Sequence, residues 1–161
     1  MKNHINIVSP EEAVKCVKSN QRVFVHGSAA TPTVLLHALE KRKNELKNVE
    51  VVSITTLGEM PLTHESCKGS FYLNSLFVSQ NIRNAVNSDQ GGYVPVFLSE
   101  IGRLFRQNIM PLDVAFINVS PPDQHGYCSL GTSVDVARPA VDTSQIVIAQ
   151  INKQMPRTMG D

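Results

Sequence analysis

No CxxC pair, no apolar run longer than a strand and no excess of either charge occurs in this 161-residue sequence. Each absence removes a class of protein. Cys16, Cys67 and Cys128 are odd in number and far apart, which argues against a zinc ribbon or a disulfide framework and suits a reducing cytoplasm. His26 and His64 lack metal-ligand spacing with cysteine or carboxylate, so no metal site is expected. Fifteen basic side chains stand against 14 acidic ones, for a formal net charge of +1. With no basic stripe or tail to neutralise phosphates, a nucleic-acid role has no electrostatic support. Strand-length apolar runs are too short to cross a membrane. The first twelve residues contain no apolar h-region or cleavage site, so a secretory signal is not expected. Glu59 and Glu65 stand apart from other carboxylates, which leaves acid–base work by a carboxylate pair unsupported.

What remains is an ordinary globular composition, 42% hydrophobic and 18% charged, in a chain of single-domain size spanning 1–161. A domain of this size buries roughly two-thirds of its unfolded surface, enough for a real core. Apolar runs alternate with helical patterns. Ser9, Pro10, Glu11 and Glu12 open a first helix: a cap, a first-turn proline and acids at its positive end. Ala13, Val14 and Val17 form its buried face. A strand over 22–26 leads through a small-residue turn into a helix that starts near Pro32, capped by Thr31 or Ser28. Val34, Leu35, Ala38 and Leu39 supply its apolar stripe. The same grammar predicts strands over 49–54, 71–78, 93–98, 113–119 and 145–151, and helices over 80–87, 99–107 and 133–142. Pro95 marks the 93–98 strand as an edge or an irregular one. Strands alternating with helices imply an α/β domain: a mainly parallel sheet with helices on both faces.

In such a sheet ligands bind beyond the carboxyl ends of the strands. Three segments fall there. The first is Gly27-Ser28-Ala29-Ala30-Thr31-Pro32, where small side chains admit a ligand to the backbone and a helix N-terminus offers free N–H groups. It equally suits a tight turn that only needs small residues, and it is neither a Walker loop nor GxGxxG. In the second, Thr55-Thr56-Leu57-Gly58-Glu59, two hydroxyls and a carboxylate suit a polar ligand, or threonines that cap backbone. The third runs from Asn118 to Gly131 and contains Ser120, Pro121, Pro122, Asp123, Gly126 and Ser129. Its prolines hold a loop in one shape at little entropic cost. His125 and Cys128 share this loop without a third orienting group, so a nucleophile–base pair is not expected.

The run Ser120-Pro121-Pro122-Asp123-x-x-Gly126-x-x-Ser129-x-Gly131 resembles the signature stretch of the acetyl-CoA hydrolase/transferase family, which includes 4-hydroxybutyrate CoA-transferases. The Gly27–Pro32 segment with Leu35 and Leu39 resembles that family's first βα loop. Met155-Pro156-Arg157-Thr158-x-Gly160-Asp161 resembles the end of its N-terminal domain. The resemblance implies a CoA-transferase/NagB-RpiA-like fold and the N-terminal half of a two-domain enzyme. Such an enzyme exchanges coenzyme A between an acyl-CoA such as acetyl-CoA and a short carboxylic acid such as 4-hydroxybutyrate, by a ping-pong route through a glutamyl-CoA thioester. A hydrolase that uses water as acceptor, or a non-catalytic binding module of the same fold, are the alternatives. The nucleophilic glutamate belongs to a C-terminal motif of the form Gly-x-His-x-Glu-Met, which occurs nowhere in these 161 residues. Gly58-Glu59-Met60 resembles its last letters but comes too early, so Glu59 is expected to be a loop residue. No catalytic residue is therefore expected in this chain, and by itself it is expected to be inactive. Ser28, Ala29, Ala30, Thr55 and Thr56 are expected to bind substrate, with Ser120, Pro121, Pro122, Asp123 and Gly126 forming a cleft or interface loop. No tightly bound cofactor is implied, with coenzyme A a substrate. The expected partners are the C-terminal catalytic domain and further copies in a homo-oligomer, in the cytoplasm.

Overall fold

A computed structural model of the chain describes residues 6–159. Six strands form one sheet in the order β4-β3-β2-β1-β5-β6, with every pairing parallel: β1 (Arg22–Val25), β2 (Val49–Ser53), β3 (Phe71–Ser75), β4 (Gly91–Tyr93), β5 (Val114–Val119) and β6 (Ile146–Ile151). The chain steps outward from β1 to β4, then crosses back to the far side of β1 for β5 and β6. The direction of winding therefore reverses between β1 and β5.

Because side chains alternate across a strand, a sheet covered on both faces needs apolar residues at every position. β5 reads Val-Ala-Phe-Ile-Asn-Val and is buried throughout. Val114 and Phe116 face a core built with α1 (Pro10–Ala13), α2 (Thr33–Glu40) and α3 (Arg83–Val86). Ala115, Ile117 and Val119 face a second core with α4 (Leu98–Arg106) and α5 (Ala137–Thr143). β1 divides likewise: Val23 and Val25 enter the first core, and Phe24 meets Phe105 of α4 in an edge-on contact with centroids 5.8 Å apart. The α/β architecture with helices on both faces is the one the sequence predicts.

Ser9 does cap α1, its Oγ accepting the Glu12 N–H at 3.2 Å, and Val14 and Val17 are buried beyond it. Other expectations need correction. The strand expected over 93–98 is instead β4 at Gly91–Tyr93, and Leu98 already begins α4. The two glycines make this edge strand: a Cβ on Gly91 would stand 2.8 Å from the Leu73 carbonyl oxygen, and Pro95 then has no N–H to continue the ladder. β3 ends at Ser75 rather than 78. The 80–87 helix begins as a 3-10 turn, Gln80–Ile82, before α3. The 133–142 helix starts at Ala137. On α2, Val34 is half-exposed while Leu36 is fully buried, so the apolar stripe runs through Leu35, Leu36, Ala38 and Leu39. Neither Thr31 nor Ser28 caps α2, whose N-cap is Pro32. Gly160 and Asp161, the last letters of the C-terminal resemblance, lie outside the described residues.

Candidate functional site

The loops that leave β1, β2 and β3 are fastened to one another. Gly27 is there because a Cβ would meet the Thr55 carbonyl oxygen at 2.8 Å. That close approach lets the Ser28 N–H donate to the same oxygen at 2.6 Å, with Ser28 in the left-handed region at φ 51°. Thr31 is a latch and not a helix cap: its Oγ1 donates to the Ser28 carbonyl at 2.8 Å and accepts the Leu57 N–H at 3.1 Å. Thr56 is buried and ties the second loop to the third, its Oγ1 standing 3.2 Å from both Ser79 Oγ and Asn81 Oδ1.

Beyond these strand ends lies a cavity of about 720 Å³. Buried Ile54, Leu76 and Ile101 form its floor. Phe77, Tyr93, Phe97 and Leu98, all more than half exposed, form its rim. Its polar lining comes from Ser28, Thr55, Glu100 and Asp135. An apolar concavity with a few convergent polar groups is the usual form of a small-molecule site, and it lies where the strand-end rule puts it.

The expected site residues therefore separate. Ser28 and Thr55 line the cavity. Ala29 is exposed beside Ser28, while Ala30 is wholly buried and Thr56 is spent on the loop network. Within the turn, the N–H groups of Ser28, Ala30 and Thr31 bond to the carbonyls of Thr55, Gly27 and Ser28. Among the described residues the Ala29 N–H has no such backbone partner.

The Ser120 loop is not part of this cavity lining. Ser120 itself is buried and pairs with Ser129, N–H to carbonyl at 2.9 Å and Ser129 N–H to Oγ at 2.9 Å. Pro121, Pro122 and Gly126 are exposed. Asp123 organises the loop: Oδ1 accepts the N–H groups of His125 at 2.8 Å and Tyr127 at 2.9 Å, and Oδ2 meets Arg157 Nη2 at 2.7 Å. The Tyr127 N–H, helped by that of His125 and by the Arg157 guanidinium, holds the Asp123 carboxyl below its ordinary range. The SPPD-x-x-G segment is thus a rigid projection from the end of β5, clamped by the segment that resembles the family's domain end.

His26, which the spacing of metal ligands passes over, is fully buried at the end of β1. The Asn118 N–H donates to Nδ1 at 3.3 Å, and Nε2 stands 2.5 Å from the Ser133 carbonyl oxygen. These partners fix a neutral ring protonated on Nε2, and burial pushes its pKa below the ordinary value. Ser133 lies two residues before Asp135, which sits at φ 25° on the cavity wall. His26 thereby connects β1 and β5, across the winding reversal, to the loop that carries Asp135.

Glu59 is a loop residue with a half-exposed carboxylate, 3.6 Å from His37 Nε2 and 3.8 Å from His64 Nε2. No three histidine, cysteine or acidic side chains among the described residues are arranged to hold a metal ion. Burial pushes the Cys128 thiol above its ordinary pKa, the opposite of activation. No helix among the described residues is long and apolar enough to cross a membrane.

Comparison with known proteins gives concordant matches. The family described as acetyl-CoA hydrolase/transferase N-terminal domain matches residues 2–161. A 4-hydroxybutyrate coenzyme A transferase of Clostridium kluyveri is 40% identical over 96% of this chain and 36% of its own length. A succinyl-CoA:acetate/propanoyl-CoA:succinate CoA transferase of Fasciola hepatica is 42% identical over 94% of this chain and 32% of its own. The crystal structure of RipA from Yersinia pestis superposes with a TM-score of 0.85 at 27% identity, over 95% of this chain and 38% of that one. The chain spans about a third of the length of the curated relatives it matches.

Proposed function

From the premise that this chain belongs to the acetyl-CoA hydrolase/transferase family, through its N-terminal domain, we propose that it forms one wall of the active cleft of a coenzyme A transferase. The observation that carries this reading is the Gly27–Thr31 turn, fastened to Thr55 beside a 720 Å³ apolar cavity at the strand ends. The second wall, and the nucleophilic glutamate, come from a C-terminal domain outside these residues.

In this reaction the glutamate carboxylate attacks the acyl-CoA carbonyl and expels CoA thiolate, leaving a mixed anhydride. The thiolate attacks the glutamyl carbonyl of the anhydride, releasing the acyl group as its carboxylate and leaving a glutamyl-CoA thioester. A second carboxylic acid reverses the sequence and departs as its CoA ester. The barrier lies largely in charge that develops on the carbonyl oxygen, which preorganised donors stabilise. In this chain the Ala29 N–H and the Ser28 hydroxyl are the groups suited to that task, because the neighbouring N–H groups are already bonded. Thr55 borders the same space. The Ser120–Gly126 projection, rigid and away from the cavity, suits a domain interface.

The acyl groups are those of short carboxylic acids such as acetate or 4-hydroxybutyrate, coenzyme A is a substrate with no tightly bound cofactor, and the working protein is a cytoplasmic homo-oligomer. The test is acyl exchange between acetyl-CoA and a short carboxylate, after mixing this chain with the part of the Clostridium kluyveri relative outside the matched segment. Exchange that needs both pieces supports the proposal. Loss of acetyl-CoA without an acceptor selects the hydrolase, and binding without turnover selects a non-catalytic module. Ser28→Trp abolishes exchange in a domain with an unchanged circular dichroism spectrum; wild-type rates in that variant remove the turn from the active cleft.

A further inference from the structure

Residues 132–135 run between Gly131 and buried Val136 and supply Asp135 to the cavity wall. They are poorly packed: Thr132, Val134 and Asp135 are exposed, and Ser133 is half-buried. Two hydrogen bonds join this stretch to the start of α5. Asp135 Oδ1 accepts the Val136 N–H, and the Val134 carbonyl accepts the Ala137 N–H at 2.8 Å. Among the described residues, the one hydrogen bond that ties 132–135 to the sheet comes from His26, whose Nε2 stands 2.5 Å from the Ser133 carbonyl oxygen. Because Nδ1 accepts the Asn118 N–H, the proton sits on Nε2 and the ring is the donor. Asp135 meanwhile holds φ 25°, a left-handed value that a non-glycine residue keeps only where its surroundings impose it. Its Oδ2 lies 3.7 Å from the point where a Cβ on Gly27 would sit, and Gly27 directly follows His26. A short ring is thereby closed, from His26 to Ser133, along the chain to Asp135, and back to the turn that carries Ser28.

We propose that His26 is a positioning residue of the cleft: through the Ser133 carbonyl, its Nε2–H sets where the Asp135 wall stands against the Ser28 turn. Its effect on exchange rests on the reading that the cavity receives the acyl group; the tether itself does not. The ring touches no substrate. It fixes an exposed segment that has little packing of its own, and so holds the polar side of the cavity at one width. A shift of that wall changes the placement of an acyl group against the Ala29 N–H and the Ser28 hydroxyl, and misplacement by about 1 Å is enough to slow a reaction by orders of magnitude.

Two amide substitutions separate the roles of the two ring nitrogens. An asparagine carboxamide falls near the place of Nδ1, and a glutamine carboxamide near that of Nε2. His26→Asn therefore keeps an acceptor for the Asn118 N–H and loses the donor to Ser133, while His26→Gln does the reverse. Each variant forfeits one buried hydrogen bond, so a merely structural histidine loses function to a similar extent in both. The Ser133 carbonyl-carbon and Asp135 amide signals are followed in the isotopically labelled chain. Acyl exchange from acetyl-CoA to propionate is measured after mixing with the remaining part of the Clostridium kluyveri relative. The expected result is that His26→Asn displaces both signals and slows exchange at least about tenfold, whereas His26→Gln keeps both signals near their wild-type positions and exchange within about threefold. Equal displacement of the signals in the two variants, or an equal loss of exchange, overturns the positioning role. Signals that respond as expected while exchange stays at the wild-type rate in both variants overturn it too, leaving a tether with no part in the cleft. If His26→Asn does not fold, His26→Gln decides: retained signals and exchange support the role, and their loss overturns it. If the wild-type mixture shows no exchange, the transferase reading falls and the signals alone decide the tether.

Discussion

Replacement of His26 separates two effects that the buried ring combines. The imidazole is wholly excluded from solvent and bonded at both nitrogens, to the Asn118 N–H and the Ser133 carbonyl. His26→Leu leaves that donor and that acceptor without partners in a dry site. At about 1–3 kcal/mol for each orphaned group, the loss is about 2–6 kcal/mol, a large share of the roughly 5–15 kcal/mol that stabilises a domain. The pH dependence is a separate signature. Burial pushes the folded-state pKa down, and the Ser133 carbonyl, followed by the nearby Asp135 carboxylate, opposes this without reversing it. The unfolded chain therefore binds a proton, as pH falls through about 6.5, that the folded chain still refuses. Stability contributed by the neutral ring is complete above that value. It declines below it, by up to about 1.4 kcal/mol per pH unit, until the folded-state pKa is reached. Urea unfolding at pH 8, 7, 6 and 5.5, for wild type and His26→Gln, isolates the effect, since the two proteins share every other side chain. The wild type should lose stability with acid more steeply than the variant. Parallel stability curves, or a cost for His26→Leu below about 1 kcal/mol, would refute the assignment of a buried neutral ring.

Phe105→Ala removes the partner of Phe24 in the second core and should cost about 3–5 kcal/mol by urea denaturation. Gly27→Ala places a methyl 2.8 Å from the Thr55 carbonyl oxygen and should cost about 1–3 kcal/mol, with the Ser28 amide resonance shifted as its bond to that oxygen lengthens. Arg157→Ala should quicken proteolysis within the 121–128 loop, because two contacts to Tyr127 and one to Asp123 go with it. The Asp123 carboxylate is favoured in the folded state, so its contribution exists above the ordinary carboxylate range and is lost as pH falls through the lowered value. In Arg157→Ala that loss should begin at a higher pH, visible as an earlier acid onset of loop cleavage.

The strands that could be read from sequence are those whose burial is written into consecutive residues. β5 is the clearest: its apolar run has only one reading in a sheet covered on both faces. β4 was hidden because Gly91 and Gly92 pair through the absence of side chains, and the apolar run after them marks the cavity rim and the start of α4 instead. Sequence places the loop hydroxyls at the strand ends but cannot tell that Thr31 latches one loop to the next while Thr55 faces the cavity and Thr56 does not. Asp135, Glu100, Phe77 and Phe97 converge from separate segments, and no spacing within one segment signals that. His26 did carry a signal, since it directly extends the apolar run Val23-Phe24-Val25 and so had to enter the same buried layer. Ser120 to Gly131, the most recognisable stretch, identifies the family yet is not part of the cavity lining.

The most direct test of the central claim is intact-protein mass spectrometry on a mixture of this chain, the remaining part of the Clostridium kluyveri relative and acetyl-CoA. The account predicts a covalent coenzyme A adduct on the companion piece, formed only when this chain is present, and none on the 161-residue chain itself. An adduct on this chain, at Glu59 or elsewhere, or an adduct on the companion that forms equally well without it, would contradict the account.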